Sequence, residues 1–165
     1  MKHIIIILLN FSYVFASCQT AQPETFIIPE GYKGKVMVVF NKKNGEMPEL
    51  EKNRRVYKIP SSGVLVTQFN INNGFMNRQF YYIDSRGQSA LLKNFKNEKE
   101  AEKSGEIGIF YSGTAGIYGN SGDSLSVEYQ EFIVSDYVSL KDFFTSDYKN
   151  KFLETLKKAV GHDIK

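Results

Sequence analysis

Thiol and imidazole groups, the commonest nucleophile and base in hydrolases, are scarce in this chain of 165 residues, which has one cysteine and two histidines. A Ser-His-Asp or Cys-His site needs a histidine held beside the nucleophile. His3 lies in an apolar N-terminal segment that we expect to be removed, and His162 is near the C-terminus, where side chains are poorly held. The sequence therefore argues against nucleophilic catalysis and allows no intramolecular disulfide.

The single cysteine lies where an export signal would end. Met1-Lys2-His3 is a positively charged start, and residues 4–16 are mostly apolar. An apolar stretch of about 13 residues is typical of a signal peptide and is too short to span a bilayer. Phe15-Ala16-Ser17-Cys18 resembles the lipobox of bacterial lipoproteins, although Phe15 replaces the usual Leu. That resemblance implies that the thiol of Cys18 receives a diacylglycerol and that the signal is cut just before it.

These features predict three segments: a signal peptide at 1–17, a polar tether at 18–25 and one folded domain at 26–165. Two or more acyl chains, such as palmitate, would anchor the mature protein stably in a membrane without a transmembrane helix. Gln19 does not resemble the Asp that retains lipoproteins in the inner membrane, so the resemblance favours the outer membrane and leaves its face open. A plain secretory signal with an incidental thiol and a retained anchor are the alternatives.

Other patterns that can carry chemistry are weak. Residues 120–124 are rich in oxygen ligands but lack the spacing of a calcium loop, and a turn explains them equally well. The glycines of 113–119 have no following Lys-Ser/Thr, so strand-end turns are expected rather than a phosphate loop. Paired carboxylates for glycoside hydrolysis have no motif, and the candidates are simply those present: Glu46, Glu49, Glu51, Glu128 and Glu131.

The charge and ligand supply exclude further classes. The net charge is +3, and basic residues alternate with acidic ones, so we expect no nucleic-acid binding. Zinc sites in proteins are built mainly on Cys and His with some carboxylates, and this chain has one cysteine and two histidines. We therefore predict no metal, no cofactor and no enzymatic activity.

Aromatic residues are the remaining lead, at 14% of the chain. Tyrosine offers an apolar ring with a polar rim, which suits a glycan or peptide surface. Ordinary strand packing explains tyrosines in a sheet more simply. As possible ligand contacts we single out five: Tyr81, Tyr82, Tyr111, Tyr118 and Tyr129.

The elements that would position these residues are mostly strands. Residues 35–40 are apolar on both faces, which predicts a strand buried between layers. Residues 79–83 and 88–92 flank Asp84-Ser85-Arg86-Gly87, the clearest hairpin signal. From Leu125 the apolar side of a long strand changes near Glu131, which indicates a bulge or a change of layer. The run 94–105 fits a short exposed helix or a loop.

The C-terminal segment changes to a helical period, with an apolar stripe over about 146–160 and Gly161 as its stop. With seven or eight short strands before it, the chain predicts a mainly β fold: an antiparallel β-sandwich with one C-terminal α-helix.

Two segments carry a family resemblance. Ile28-Pro29-Glu30-Gly31-Tyr32-Lys33-Gly34-Lys35-Val36 and Val56-Tyr57-Lys58-Ile59-Pro60-Ser61-Ser62-Gly63-Val64 resemble small Gram-negative lipoproteins with an uncharacterised domain. More loosely, they resemble transthyretin-like or carboxypeptidase-regulatory-like sandwiches. The resemblance implies a fold type and no catalytic residue. We therefore expect a non-catalytic envelope lipoprotein that binds a protein or a surface component. The alternatives are a carbohydrate-binding module and a small carboxylate-dependent hydrolase.

Overall fold

The computed structural model describes residues 21–74, 77–119 and 126–161. The strands in chain order are β1 (Glu24–Pro29), β2 (Gly34–Val39), β3 (Glu49–Glu51), β4 (Arg54–Lys58), β5 (Val64–Val66), β6 (Arg78–Ile83), β7 (Ser89–Leu91), β8 (Lys93–Asn94), β9 (Gly108–Tyr118) and β10 (Val127–Ser135). The helices are α1 (Glu98–Ser104), a 3₁₀ helix (Leu140–Phe144) and α2 (Ser146–Val160). None of the helices in these ranges is long and apolar enough to cross a membrane.

The strands form two five-stranded sheets with the orders β3-β4-β1-β6-β7 and β5-β2-β10-β9-β8. Four pairings are parallel, namely β1 with β4, β1 with β6, β2 with β5 and β8 with β9. The fold is thus a mixed sandwich of ten strands, and the prediction of seven or eight purely antiparallel strands was wrong. Side chains alternate in the same way in parallel and antiparallel strands, so the sequence pattern cannot distinguish them. The additional strands are two or three residues long, which is too short for a periodic signal.

The core between the two sheets is built from aromatic rings. Phe26 of β1 stacks on Tyr57 and on Phe80, with ring centroids 5.0 and 4.9 Å apart. Phe132 of the second sheet meets Phe26 edge-on at 5.1 Å. Offset-stacked and edge-on pairs are the favoured aromatic geometries. Three strands of the first sheet are thereby fixed against β10.

Helices cover the outer face of the second sheet. Leu156 of α2 packs with Met37 and Val39 of β2 and with Val127 of β10. Because Val36 and Val38 face the other sheet, β2 is apolar on both sides, which confirms the predicted buried strand. The bounds of α2 match the prediction. Its N-cap is Thr145, whose hydroxyl accepts from the amide of Tyr148, and it ends at Gly161 in the left-handed region.

The change of apolar side along β10 comes from its covering layers. Val127 and Tyr129 lie under α2, whereas Phe132 and Val134 face the first sheet. Residues on either side of Glu131 also show a register shift, as predicted, but the additional residues are in the partner strand. Between Glu131 and Ile133 of β10 the pairing moves from Thr114 to Phe110 of β9. The bulge therefore lies in β9.

Candidate functional site

The two ends of the sandwich differ, and we call them the near end and the far end. The near end is where β1 begins, beside Glu24, Arg78 and Gln130. The far end is where β10 finishes and the 3₁₀ helix follows. At the far end a cleft of about 430 Å³, which we call the far cleft, opens between α1 and the 3₁₀ helix. Its lining residues are Glu98, Tyr137, Val138, Leu140, Lys141 and Phe144.

A buried apolar cluster forms the floor of the far cleft. Phe95, Phe110 and Ile133 are buried together with Leu140. The rings of Phe95 and Phe110 are 5.1 Å apart. Ala101 is the buried residue of α1 and packs into the same cluster, so the helix is seated on the sheet through its one apolar side. The floor is therefore a packed part of the domain.

Tyr111 stands at the rim of the far cleft in a strained conformation. It lies in the β9 bulge with φ of 57°, a left-handed conformation that costs a bulky residue about 1 kcal/mol or more. Its hydroxyl donates to the Glu98 carboxylate, which, together with burial, raises the pKa of Tyr111 to about 12. Its ring meets Phe144 edge-on at 5.8 Å. The bulge therefore directs the Tyr111 ring away from the strand and towards the far cleft.

Asp136 fixes the turn from β10 into the cleft wall. Its carboxylate accepts from Lys33 Nζ at 2.7 Å and from the backbone amide of Ser139 at 2.8 Å. These two interactions, the lysine first, lower the pKa of Asp136 to about 2. Since Tyr137 and Val138 lie between these anchor points, their positions follow from the turn.

The far cleft suits an apolar ligand segment. Val138 is 76% exposed and Phe144 is 46% exposed, although the floor beneath them is buried. One carboxylate, Glu98, and one ammonium group, Lys141, lie among the lining residues. An exposed apolar group with a polar rim is the usual composition of a binding surface. The sequence signal that could have found it was the apolar Val138 and Phe144 in a connection where polar residues are expected.

The five predicted tyrosines lie on separate surfaces. Tyr81 faces the outer side of the first sheet, because its neighbours Phe80 and Tyr82 pack inward. The Tyr82 hydroxyl donates to the carbonyl of Tyr32, and burial raises the pKa of Tyr82 to about 12. Tyr111 belongs to the far cleft.

Only the remaining two predicted tyrosines touch each other. The Tyr118 and Tyr129 rings are 5.3 Å apart, and Tyr129 packs partly under α2. Gly116 lies beneath the Tyr129 ring, where a Cβ would come within 2.9 Å of the hydroxyl. The structure therefore does not join the five into one aromatic face.

Several predicted carboxylates are held by cations or amides. Glu49 pairs with Lys58 at 2.7 Å, and Glu131 pairs with Lys35 at 3.0 Å. Glu128 accepts from the Asn41 amide. Strand-end turns were expected at the glycines of 113–119, and this was wrong for Gly113 and Gly116, because β9 continues through them to Tyr118; only Gly119 follows the end of the strand.

Three predicted features, Cys18, the loop 120–124 and His162, lie outside the described residues. In the ranges that the structure covers, no group of three or more His, Cys, Asp or Glu side chains is placed to hold a metal ion.

The near end contains a buried polar network that the sequence did not reveal. Glu24 is fully buried, and its carboxylate accepts from Arg78 Nε at 2.9 Å, Tyr57 Oη at 3.2 Å and Asn72 Nδ2 at 3.1 Å. Arg78 also donates to Gln130 Oε1 at 2.8 Å, which joins the two sheets. Burial, and then Glu24, raise the pKa of Tyr57. A buried carboxylate is tolerated because cation and hydrogen-bond partners surround it.

The chain is fixed just before this network. Asn72 donates to the carbonyl of Gln22 at 2.7 Å and accepts from its amide at 3.2 Å. The Gln22 side chain accepts from Arg55 Nε at 3.1 Å. The folded domain therefore begins by Gln22, and β1 begins at Glu24, inside the segment that was predicted to be tether.

These features define a class: a two-sheet mixed β-sandwich with helices over one sheet and its polar network at the end where the chain enters. The chain belongs to a family of unknown function (DUF6843), whose model matches residues 20–143. The matched range ends before α2.

One solved structure is similar. It is the crystal structure of a "putative lipoprotein" from Bacillus anthracis, with 18% sequence identity and a TM-score of 0.60. The match covers 83% of this chain and 92% of that chain, and at this identity it shows the fold alone. It supports neither the transthyretin-like detail nor a Gram-negative origin. No curated protein matches the chain.

Proposed function

We propose that the mature protein is a lipid-anchored envelope protein whose sandwich is a non-catalytic binding domain. The observation that carries this proposal is the position of Gln22, which is held by the domain four residues after Cys18. Four extended residues reach about 14 Å at most. An acylated Cys18 would therefore keep the near end close to the membrane and leave the far cleft at the other end. The similar fold of the Bacillus protein, described as a lipoprotein, supports the same view.

The ligand that fits the far cleft best is an apolar segment of another envelope protein. Val138 and Phe144 supply exposed apolar surface, and the rim offers one group of each charge at Glu98 and Lys141. Because Gln19 is not the Asp that retains lipoproteins in the inner membrane, we propose the outer membrane as the location. The proposal does not specify which face of that membrane carries the protein.

The anchor is tested by the intact mass of the protein purified from native membranes. We expect a chain starting at Cys18 with added diacylglycerol and acyl mass, and a Cys18→Ala variant that leaves the membrane fraction. An unmodified thiol, or a chain that still begins at Met1, would contradict the anchor.

The binding role is tested by a photo-crosslinking residue at Val138 in native membranes. The matched control is the same residue at Leu91, which is 67% exposed against 76% for Val138 but lies on β7. We expect one defined protein adduct from position 138 and none from position 91. Equal adducts from both positions, or none from either, would remove the far cleft as the binding surface.

A carbohydrate-binding role is the second candidate, and the Tyr118–Tyr129 pair favours it. Tyr118 is 37% exposed beside the Tyr129 ring. A glycan array should then give a signal that is lost in Tyr118→Ala and kept in Tyr81→Ala. A silent array would discard this candidate. The third alternative, a carboxylate-dependent hydrolase, has no comparable observation in its favour.

A further inference from the structure

In the part of the chain that the structure describes, one edge of the strand β9 is uncovered over most of its length. It runs for eleven residues, from Gly108 to Tyr118, and pairs on one side with β10. On its other side β8 pairs only with Gly108 and Ile109. Among the described residues, no strand covers that side of β9 beyond Ile109. A row of backbone groups is therefore left open.

The hydrogen-bond pattern identifies the open groups. The amide of Phe40 donates to the carbonyl of Glu128, so Glu128 faces the β2 side of β10. Its neighbour Tyr129 must then face β9, and Gly116, paired with Tyr129, faces back toward β10. By alternation, the N–H and C=O groups of Ala115 and Ile117 point away from β10 into the open edge.

The same alternation can be checked at the far end of the strand. Val134 faces β2 by this count, so its partner Ile109 should face away from β10. The carbonyl of Ile109 does accept from the amide of Phe95, on the β8 side. The assignment therefore agrees with this hydrogen bond at the position where β8 covers the edge.

The open edge combines length with an absence of charge. Residues 112–118 read Ser-Gly-Thr-Ala-Gly-Ile-Tyr, with no charged residue and no proline, in a chain that is 24% charged. Ala115 is exposed, and Ile117 is 48% exposed. Edge strands are normally protected by shortness, charge or proline. The edge strand β3 of the first sheet is protected in this way, since it has three residues and two of them are Glu49 and Glu51.

We propose that β9 pairs antiparallel with β9 of a second copy of this chain, which continues the second sheet across a two-fold axis. Like charges that face each other destabilise cross-strand pairs. A strand without charges is complementary to itself, because no like charges meet at the axis. This absence of charge favours a second copy as the occupant.

The size of the contact connects this inference to the proposed function. A strand pair of about seven residues buries less surface than a stable soluble dimer needs. The inference therefore rests on the proposed lipid anchor, because confinement to one membrane raises the effective concentration of copies. We expect dimers in membranes and mainly monomers in dilute detergent.

The experiment is a cysteine scan over residues 113–118 in native membranes with native Cys18 retained, under mild oxidation. The same scan in the Cys18→Ser chain, which has no lipid anchor, should give little dimer and serves as the unanchored control. The scan includes Ala115→Cys and Ile117→Cys. A two-fold axis predicts a reducible dimer that is strongest at one position and falls on both sides. Leu91→Cys, on the edge strand β7, is the control for random collision and should give at least tenfold less dimer. Equal dimer yields at all positions, Leu91 included, would overturn the proposal.

Two further measurements complete the test. Hydrogen exchange at the amides of Ala115 and Ile117 should be slow in membranes and fast in dilute detergent. Slow exchange without any dimer would show another chain on the edge, and fast exchange without dimer would show an open edge. Either result would contradict the proposal that β9 pairs with a second copy of the chain. The intact mass at Cys18 is read separately, so a dimer with an unmodified thiol would refute the anchor and keep the strand pairing.

Ala115→Lys adds a charge at the edge and should abolish the dimer, because two ammonium groups then meet near the axis. Leu91→Lys adds the same charge on another edge and should keep it. Persistence of the dimer in Ala115→Lys would refute the pairing through β9.

Discussion

The two ends of the sandwich differ in which side chains they bury and which they expose. At the near end Glu24 and Arg78 are withdrawn from water, with side-chain exposures of 0% and 9%, and satisfy each other. At the far end Val138 and Phe144 are left in water, with 76% and 46% of their surface exposed. Polar groups are thus buried where the chain enters the domain, and Val138 and Phe144 are exposed beyond the end of β10. The near end holds the chain where it enters the domain, and the far end presents apolar side chains to solvent.

The largest expected effect is at the near end. Glu24→Gln removes the charge and leaves the Arg78 guanidinium in a buried site, which should cost about 3–5 kcal/mol in the free energy of unfolding. The control Glu49→Gln breaks an exposed pair with Lys58 and should cost about 1 kcal/mol or less. Urea unfolding followed by circular dichroism measures both. Equal losses would show that the near end is not specially stabilised.

A second test measures how tightly the residues around Tyr32 are packed, by comparing two glycine substitutions. Gly63 has φ of 79°, and an added Cβ would lie 2.0 Å from the Tyr32 hydroxyl. Gly87 has φ of 80° with nothing within 4 Å. The backbone strain is therefore the same, and only the clash differs.

Gly63→Ala should lose about 2–3 kcal/mol and Gly87→Ala about 1 kcal/mol. Thermal or urea unfolding of the two variants gives the comparison. The same Cβ would also lie 2.6 Å from the carbonyl oxygen of Lys35, so equal losses would mean that both the Tyr32 side chain and the backbone at this end move easily. The contrast between the two ends would then be sharper than described above.

The pH dependence of the unfolding free energy should show how much the Asp136 carboxylate, beside the far cleft, stabilises the fold. The folded pKa of Asp136 is about 2, below its ordinary value of 3.8, because of Lys33 and the Ser139 amide. A depressed pKa stabilises the fold above the unfolded value, and that contribution disappears as the pH falls from about 4 to 2.

Asp136→Asn should accordingly lose about 1–2 kcal/mol of unfolding free energy at pH 7 and only a small part of that near pH 2, where the carboxylate is about half protonated. Unfolding curves of both proteins at several pH values provide the measurement. A difference that persists unchanged at pH 2 would indicate a role other than charge for this carboxylate.

The smallest effect is expected on the exposed lining of the far cleft. Val138→Ser should change the unfolding free energy by about 0.5 kcal/mol or less, because the side chain is already 76% exposed. Leu140→Ala, in the floor at 4% exposure, should cost about 2–4 kcal/mol. A large loss for Val138→Ser would mean that this residue packs on the domain, and the far cleft would lose its main contact surface.

The fold could be predicted wherever a local period is long and regular. The α2 stripe, the β6–β7 hairpin and the doubly buried β2 were all visible in the sequence and are confirmed. The mixed pairing was not predicted. The contacts of β1 with β4 and β6 join residues that are far apart in the sequence, so no local pattern indicates them.

The candidate site was largely hidden for the same reason. Of the predicted tyrosines only Tyr111 lies at the far cleft, and the bulge that turns it outward depends on its register with β10. Glu98 appeared only as part of a solvated charged run. The tyrosine pattern therefore identified residue types, and the folded chain selected which of them share a surface.

The sequence by itself determined that the chain is mainly β with a C-terminal helix, because alternation and helical period are properties of successive residues. It also predicts an export signal that ends just before Cys18, and the lipid anchor stays a prediction from sequence. The tertiary structure decided the rest. Glu24 looks like a tether residue until Arg78, 54 residues later, is folded against it. Among the described residues, the edge of β9 is open beyond Ile109 because β8 pairs with only two residues of it. Burial, pairing and exposure depend on distant residues meeting, and no local pattern encodes those meetings.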